Sequence, residues 1–132
     1  MKHFTIAELT RSATARKLGI DNTPPPEAEA ALRLLTDNLL DPVRELWGKP
    51  IIVTSGYRCA ALNRAVGGAR NSHHLKGMAA DITTGSQADN RQLFQLIMQS
   101  SLPFTQLIDE HGFSWIHISF DMSDLRRQVL RL

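Results

Sequence analysis

Two short segments, "GMAADITT" (77–84) and "SWIHISF" (114–120), constrain the fold most. Each is too short for a helix with a full apolar face, and each alternates. In an extended strand successive side chains point to opposite faces. Met78, Ala80 and Ile82 therefore share one face of the first, with Ala79, Asp81 and Thr83 opposite. In the second, Ile116, Ile118 and Phe120 lie together, and Trp115, His117 and Ser119 face the other way. A sheet built from these strands is apolar on one face and carries Asp81 and His117 on the other. Helices must cover the apolar face.

The sequence supplies those helices in its first half. Thr5 and Glu8 form a capping-box pattern, and "TIAELTRSATARKLG" closes at Gly19, which predicts one or two short helices. After the prolines at 24–26, Leu32, Leu35, Leu39, Val43 and Leu46 recur every three or four residues, as on a long amphipathic helix. Pro42 lies inside that run and should kink or divide it. "IIVT" (51–54) reads as a buried strand, "YRCAALNRAVGG" as a short helix ended by glycines, and "SQADNRQLFQLIMQSS" as a longer helix. "TQLIDE" and "SWIHISF" flank the connection "HGFS", an antiparallel hairpin pattern. The expected fold class is α+β, with a helical N-terminal half packed on a small, mainly antiparallel sheet, and residues 1–132 forming one domain.

Several functions are disfavoured by composition. The net charge is only +2 and the basic residues are scattered, so no nucleic-acid footprint stands out. Arg126, Arg127 and Arg131 are expected to decorate a solvated terminal segment. The lone Cys59 excludes an internal disulfide and a four-cysteine zinc site. No apolar run is long enough for a membrane span or a secretory signal, which predicts cytosolic synthesis, no membrane partner and delivery by other means. There is no glycine-rich phosphate loop. Nothing indicates an oligomer, and the expectation is a monomer.

Asp81 and His117 can meet if their strands share a sheet, and His74 lies in the loop that leads into Asp81. Two histidines and a carboxylate around zinc, with one position open to water, make a hydrolytic site, because the metal lowers the pKa of that water to about 7. On spacing alone, three solvated polar side chains remain the alternative.

The wider pattern narrows the choice. "SGYR" (55–58), "LNRAVGGARNSHHLKGMAADI" (62–82) and "WIHIS" (115–119) resemble the zinc D-Ala-D-Ala carboxypeptidase-like family, peptidase family M15, especially its small bacterial and phage members. The family pattern Ser-x-His-x-x-Gly-x-Ala-x-Asp matches Ser72, His74, Gly77, Ala79 and Asp81. The resemblance runs from "FTIAEL" to about Phe120. It implies a fold shared with the signalling domain of hedgehog proteins, one zinc ion held by His74, Asp81 and His117, and peptidoglycan stem peptides as substrates. It also implies that Arg58 receives a substrate carboxylate and that Ser72 supports the substrate or the zinc shell. His73 falls at a variable position and is a loop neighbour. Gly67 and Gly68 are expected to supply backbone angles that other residues resist.

The general base departs from the pattern. Some branches place Glu or Asp three residues before the last histidine ligand, where this chain has Ser114. If "HGFS" is a four-residue loop, Glu110 pairs with Trp115 and Ile108 with His117, so that Glu110 shares the face of His117. A similarly placed glutamate precedes the final zinc histidine in hedgehog-like domains. Glu110 is therefore the expected base, with His111 as the alternative, since a one-residue slip would exchange the faces. Trp115 either walls the cleft or packs in the core. The expected function is zinc-dependent hydrolysis of stem peptides, as a carboxypeptidase or as a phage-type endolysin endopeptidase released from a phage or prophage. The alternative is a zinc-containing peptidoglycan-binding module without catalysis.

Overall fold

The computed structural model describes residues 1–132. Thr5 and Glu8 satisfy each other's backbone N–H groups and start helix α1 (Ile6–Thr10). Ser12 then caps α2 (Ala13–Leu18), which stops at Gly19 with φ 67°. The proline-marked helix α3 (Pro26–Leu35) widens into a π-helical segment over Thr36–Leu40 and continues as α4 (Asp41–Trp47). Pro42 explains this local change: it has no N–H for the next turn, and its ring would press on the carbonyl four residues back.

Leu32, Leu35, Leu39 and Val43 are fully buried, as their spacing predicts. Leu46 differs, being 41% exposed. The wider π turn rotates the last part of the helix, so the simple helical period overruns its range there.

The sheet contains β1 (Ile52–Ser55), β2 (Ala79–Thr83), β3 (Gln106–Glu110), β4 (Trp115–Ser119) and β5 (Gln128–Arg131), in the order β1-β2-β4-β3-β5. All neighbours are antiparallel except β3 and β5. Helix α5 (Ala60–Ala65) and a 3-10 turn (His73–Lys76) lie between β1 and β2, and α6 (Gln87–Gln99) follows β2. The mixed α+β class and the mainly antiparallel sheet agree with the sequence.

One core of 22 buried residues joins the apolar sheet face to the helices. Ala80, Ile82, Ile116 and Ile118 contribute from the strands, and Leu32, Leu35, Leu93, Phe94 and Ile97 from the helices. With this face covered, the strands present Asp81 and His117 on the other side. No helix is long and apolar enough to cross a membrane.

The C-terminal segment corrects the expectation of three solvated arginines. Its β5 strand pairs in parallel with β3, and Arg127 is only half-exposed. The Arg127 guanidinium donates to the carbonyls of Met98 and Ser100, both at 3.1 Å, and to that of Leu102. It also lies 4.5 Å over the Phe104 ring. A cation thus satisfies carbonyls left open at the end of α6 while its plane packs on an aromatic face. The signal was hidden because these partners lie about 25 residues upstream. Arg127→Ala is expected to lower unfolding free energy by about 2 kcal/mol, measured by chemical denaturation, whereas Arg126→Ala, at an exposed position, leaves the denaturation midpoint essentially unchanged.

Candidate metal centre and substrate cleft

The β2–β4 register places Asp81 directly opposite His117. Their side chains meet on the face away from the core, with Asp81 Oδ1 3.1 Å from His117 Nδ1. The 3-10 turn after Ser72 brings in His74, whose Nε2 lies 3.3 Å from the same oxygen. One donor atom from each of His74, Asp81 and His117 lies within 4.8 Å of the others. The two imidazole rings are 5.1 Å apart, edge to face.

The backbone around His74 fixes its orientation. Its Nδ1 lies 2.7 Å from the Gly56 carbonyl, which can only accept, so Nδ1 carries a proton and the ring is held with Nε2 toward Asp81. A bare imidazole nitrogen and a carboxylate oxygen at this separation repel unless a proton or a cation lies between them. The donor set suits a metal ion: two imidazoles and a carboxylate are the ligand types of a catalytic zinc site with an open position. His74 already has the outer hydrogen bond to a carbonyl that orients metal-binding histidines.

Burial of Asp81 pushes its carboxyl up, but hydrogen bonds and attraction from His117 and His74 outweigh that effect and hold it well below the ordinary range. Arg58 adds a further contact, from Nη2 to Asp81 Oδ2 at 3.4 Å. The carboxylate therefore faces the histidines with one oxygen and the guanidinium with the other.

Arg58 is held from three sides. Its Nε donates to Ser55 Oγ and its Nη1 to Asn63 Oδ1, each at 3.0 Å. Asn63 is buried and in turn donates to the Ala69 carbonyl at 2.9 Å. Of five guanidinium N–H groups, three have protein partners, which leaves two for a ligand. Sequence reasoning gave Asn63 no role. The signal was "LNRAVGG", in which a polar residue sits one place after the buried Leu62 in the middle of a short helix.

The glycines here act through space as much as through angle. Gly67 has φ 71°, as expected, but Gly68 does not have a positive φ. A Cβ on Gly68 would collide with Asn63 Oδ1 and approach Arg58 Nη1 to 2.7 Å. A Cβ on Gly56 would run into the Leu9 carbonyl, which also accepts from Tyr57 N–H. Close backbone packing of α1 on the β1 exit thus sets the carbonyl that orients His74.

An open cleft of about 630 Å³ surrounds the cluster. Its walls include Arg58, Ser72, Glu110, His111 and Trp115 besides the three metal-site residues. Ser72 Oγ accepts from His74 N–H at 3.1 Å and so stabilises the turn that presents His74. His73 also borders the cleft, outside the three-residue cluster, and burial lowers its pKa with a smaller push from His117.

The β3–β4 register pairs Glu110 with Trp115 and Ile108 with His117, as a four-residue loop requires. Glu110 and Trp115 therefore border the cleft on the face of His117. His111 is exposed, with φ 50°, and its ring lies 5.0 Å from that of Trp115. Ser114 is turned away and donates to the His111 carbonyl at 2.7 Å.

The family model described as Peptidase M15 matches residues 2–119. The chain belongs to the peptidase M15 family. A curated relative, the zinc D-Ala-D-Ala carboxypeptidase of Streptomyces albus G, is 41% identical over 86 residues, or 64% of this chain. That match spans 32% of the relative, so the chain corresponds to about a third of its length. In this M15 chain, the three side chains of the cluster come from β2, β4 and the turn before β2, and one metal ion fits between them.

Two predictions arise from this geometry. Purified protein should hold one equivalent of zinc by elemental analysis, and His74→Ala should abolish it. Gly68→Ala should leave zinc content unchanged but displace Arg58. Misplacement on the scale of an ångström reduces kcat/KM by up to about a hundredfold, which steady-state kinetics on a substrate with a free carboxylate would detect.

Proposed function

We propose that this M15 chain is a zinc peptidase acting on peptidoglycan stem peptides. The observation that carries this reading is the convergence of His74, Asp81 and His117 in an open cleft, with Arg58 beside them and two N–H groups to spare. When bound, zinc supplies a Lewis acid that polarises the scissile carbonyl and makes water acidic enough to attack near neutral pH.

The chain's residues divide the remaining work. His74, Asp81 and His117 are the ligands. Arg58 holds a substrate carboxylate through paired hydrogen bonds, which fixes the distance between that group and the scissile bond. Ser72 supports the turn carrying His74, and Trp115 walls the cleft. Glu110 takes a proton from the attacking water at its carboxylate and passes it to the departing amine. The β3–β4 register supports Glu110 over His111, because it sets the glutamate on the face of His117, while His111 lies in the exposed turn. Both carboxypeptidase and phage-type endolysin activity suit this arrangement.

A second reading, a zinc-containing peptidoglycan-binding module without turnover, is favoured by one feature. Ser114 stands where other branches carry a carboxylate, and its hydroxyl is committed to the turn. The two readings separate in one experiment. Zinc-loaded protein incubated with purified muropeptides should yield products by mass spectrometry, losing one alanine for a carboxypeptidase or a larger fragment for an endopeptidase.

Activity should disappear on chelation and return with zinc. Glu110→Gln should reduce kcat by about a hundredfold or more with zinc retained, and His111→Ala should have a much smaller effect. Unchanged muropeptides across the panel would favour the binding module. Undiminished turnover in Glu110→Gln would remove Glu110 as the base.

A further inference from the structure

Arg58 and Val66 border two cavities at once. On one side is the metal cleft. On the other, an open groove of about 500 Å³ runs between the α1–α2 corner and β1. Arg11 and Arg16 come from the helical side, and Ile52 to Ser55 from the strand.

The groove's charge is one-sided. No acidic side chain lines it, and Arg11 and Arg16 are exposed and take part in no ion pair. Together with Arg58 they place three guanidinium groups along one channel. Its floor is also unusual, because β1 is an end strand paired only with β2. Its other edge therefore presents backbone N–H and C=O groups that no strand of this chain satisfies. Ile52, at 53% exposure, adds an apolar contact. No aromatic side chain lines the groove, so it lacks the stacking platforms typical of single-stranded nucleic-acid binding.

We propose that this groove is a subsite for an extended, carboxylate-bearing peptide segment that continues past Arg58 from the bond being cut and adds as a strand to the open edge of β1. The proposal rests on the peptidase reading and specifies its substrate. An open strand edge recognises peptide main chain, and arginines recognise carboxylates through forked hydrogen bonds. Because Arg58 forms a shared wall between groove and cleft, a substrate strand can run beyond it. Substrates with acidic residues beyond the scissile bond are therefore held more tightly than those that end there.

The test compares a fluorescently labelled peptide carrying glutamates beyond a D-Ala-D-Ala pair with its glutamine twin. Binding is measured by fluorescence anisotropy on zinc-loaded Glu110→Gln protein, and cleavage on the unmodified chain. The acidic peptide should bind about fivefold more tightly than the twin at low salt, and added salt should erase the difference. Arg11→Glu combined with Arg16→Glu should also erase it, with the circular-dichroism melting curve unchanged, and amide chemical shifts along Ile52–Ser55 should move on titration.

Equal binding of the two peptides would overturn the proposal, as would a preference that survives the double charge reversal. Equal binding with both peptides cleaved would overturn the groove and leave the peptidase reading intact. A charge-dependent preference without cleavage of either would support the groove as a peptide site and count against the peptidase reading.

Discussion

The carboxylate of Asp81 is the constraint on which the site depends. One oxygen faces the imidazoles of His74 and His117, and the other faces Arg58. It is buried, so the loss of hydration must be offset by partners in good geometry. The sheet supplies this geometry directly, because Asp81 and His117 are register partners at the centre of neighbouring strands. A cation held here would meet the Asp81 carboxylate and both imidazoles at once. Metal binding and the packing of β2 on β4 therefore reinforce each other.

The geometry of Arg58 and Glu110 depends on groups farther away. Arg58 relies on Ser55 and on buried Asn63, with Gly68 leaving room for both. Glu110 relies on the turn that follows it. His111, Gly112 and Phe113 all have positive φ, and Asp109 accepts the Phe113 N–H at 2.6 Å. Asn90, fully buried on α6, donates to the Phe113 carbonyl at 2.8 Å and bonds to the loop after β2. These bonds offset backbone strain at two non-glycine residues and hold the four-residue loop. The loop in turn prevents the one-residue slip that would send Glu110 to the core face.

Much of this was legible in the residues themselves. Period-two alternation gave the faces of β2 and β4, and the loop length gave the β3–β4 register; both depend only on local geometry. The capping box and the effect of Pro42 were local too. What escaped was non-local. Arg127 finds its partners on α6, Asn63 finds Arg58 after the chain turns, and Gly56 is needed because Leu9 packs against it. β5 escaped because a four-residue parallel edge strand is specified by its neighbour β3, with little pattern of its own. Leu46 shows the opposite error, in which a local period was extended through a π turn that resets it.

The division of the sheet into two faces explains why a chain of this size can hold so polar a centre. The apolar face buries Ala80, Ile82, Ile116 and Ile118 under α3, α4 and α6, and this packing fixes the strand register. Once the register is fixed, Asp81 and His117 have no freedom to separate, since a shift of either strand would expose its isoleucines and bury its ionisable group. The hydrophobic core thus enforces the geometry of the donor side chains from behind. The segments carrying Arg58 and His74, and the turn that follows Glu110, need only be correct relative to that frame. Each is secured by backbone or amide hydrogen bonds, with Tyr57 and Phe113 reaching back into the core, which leaves the cleft side open.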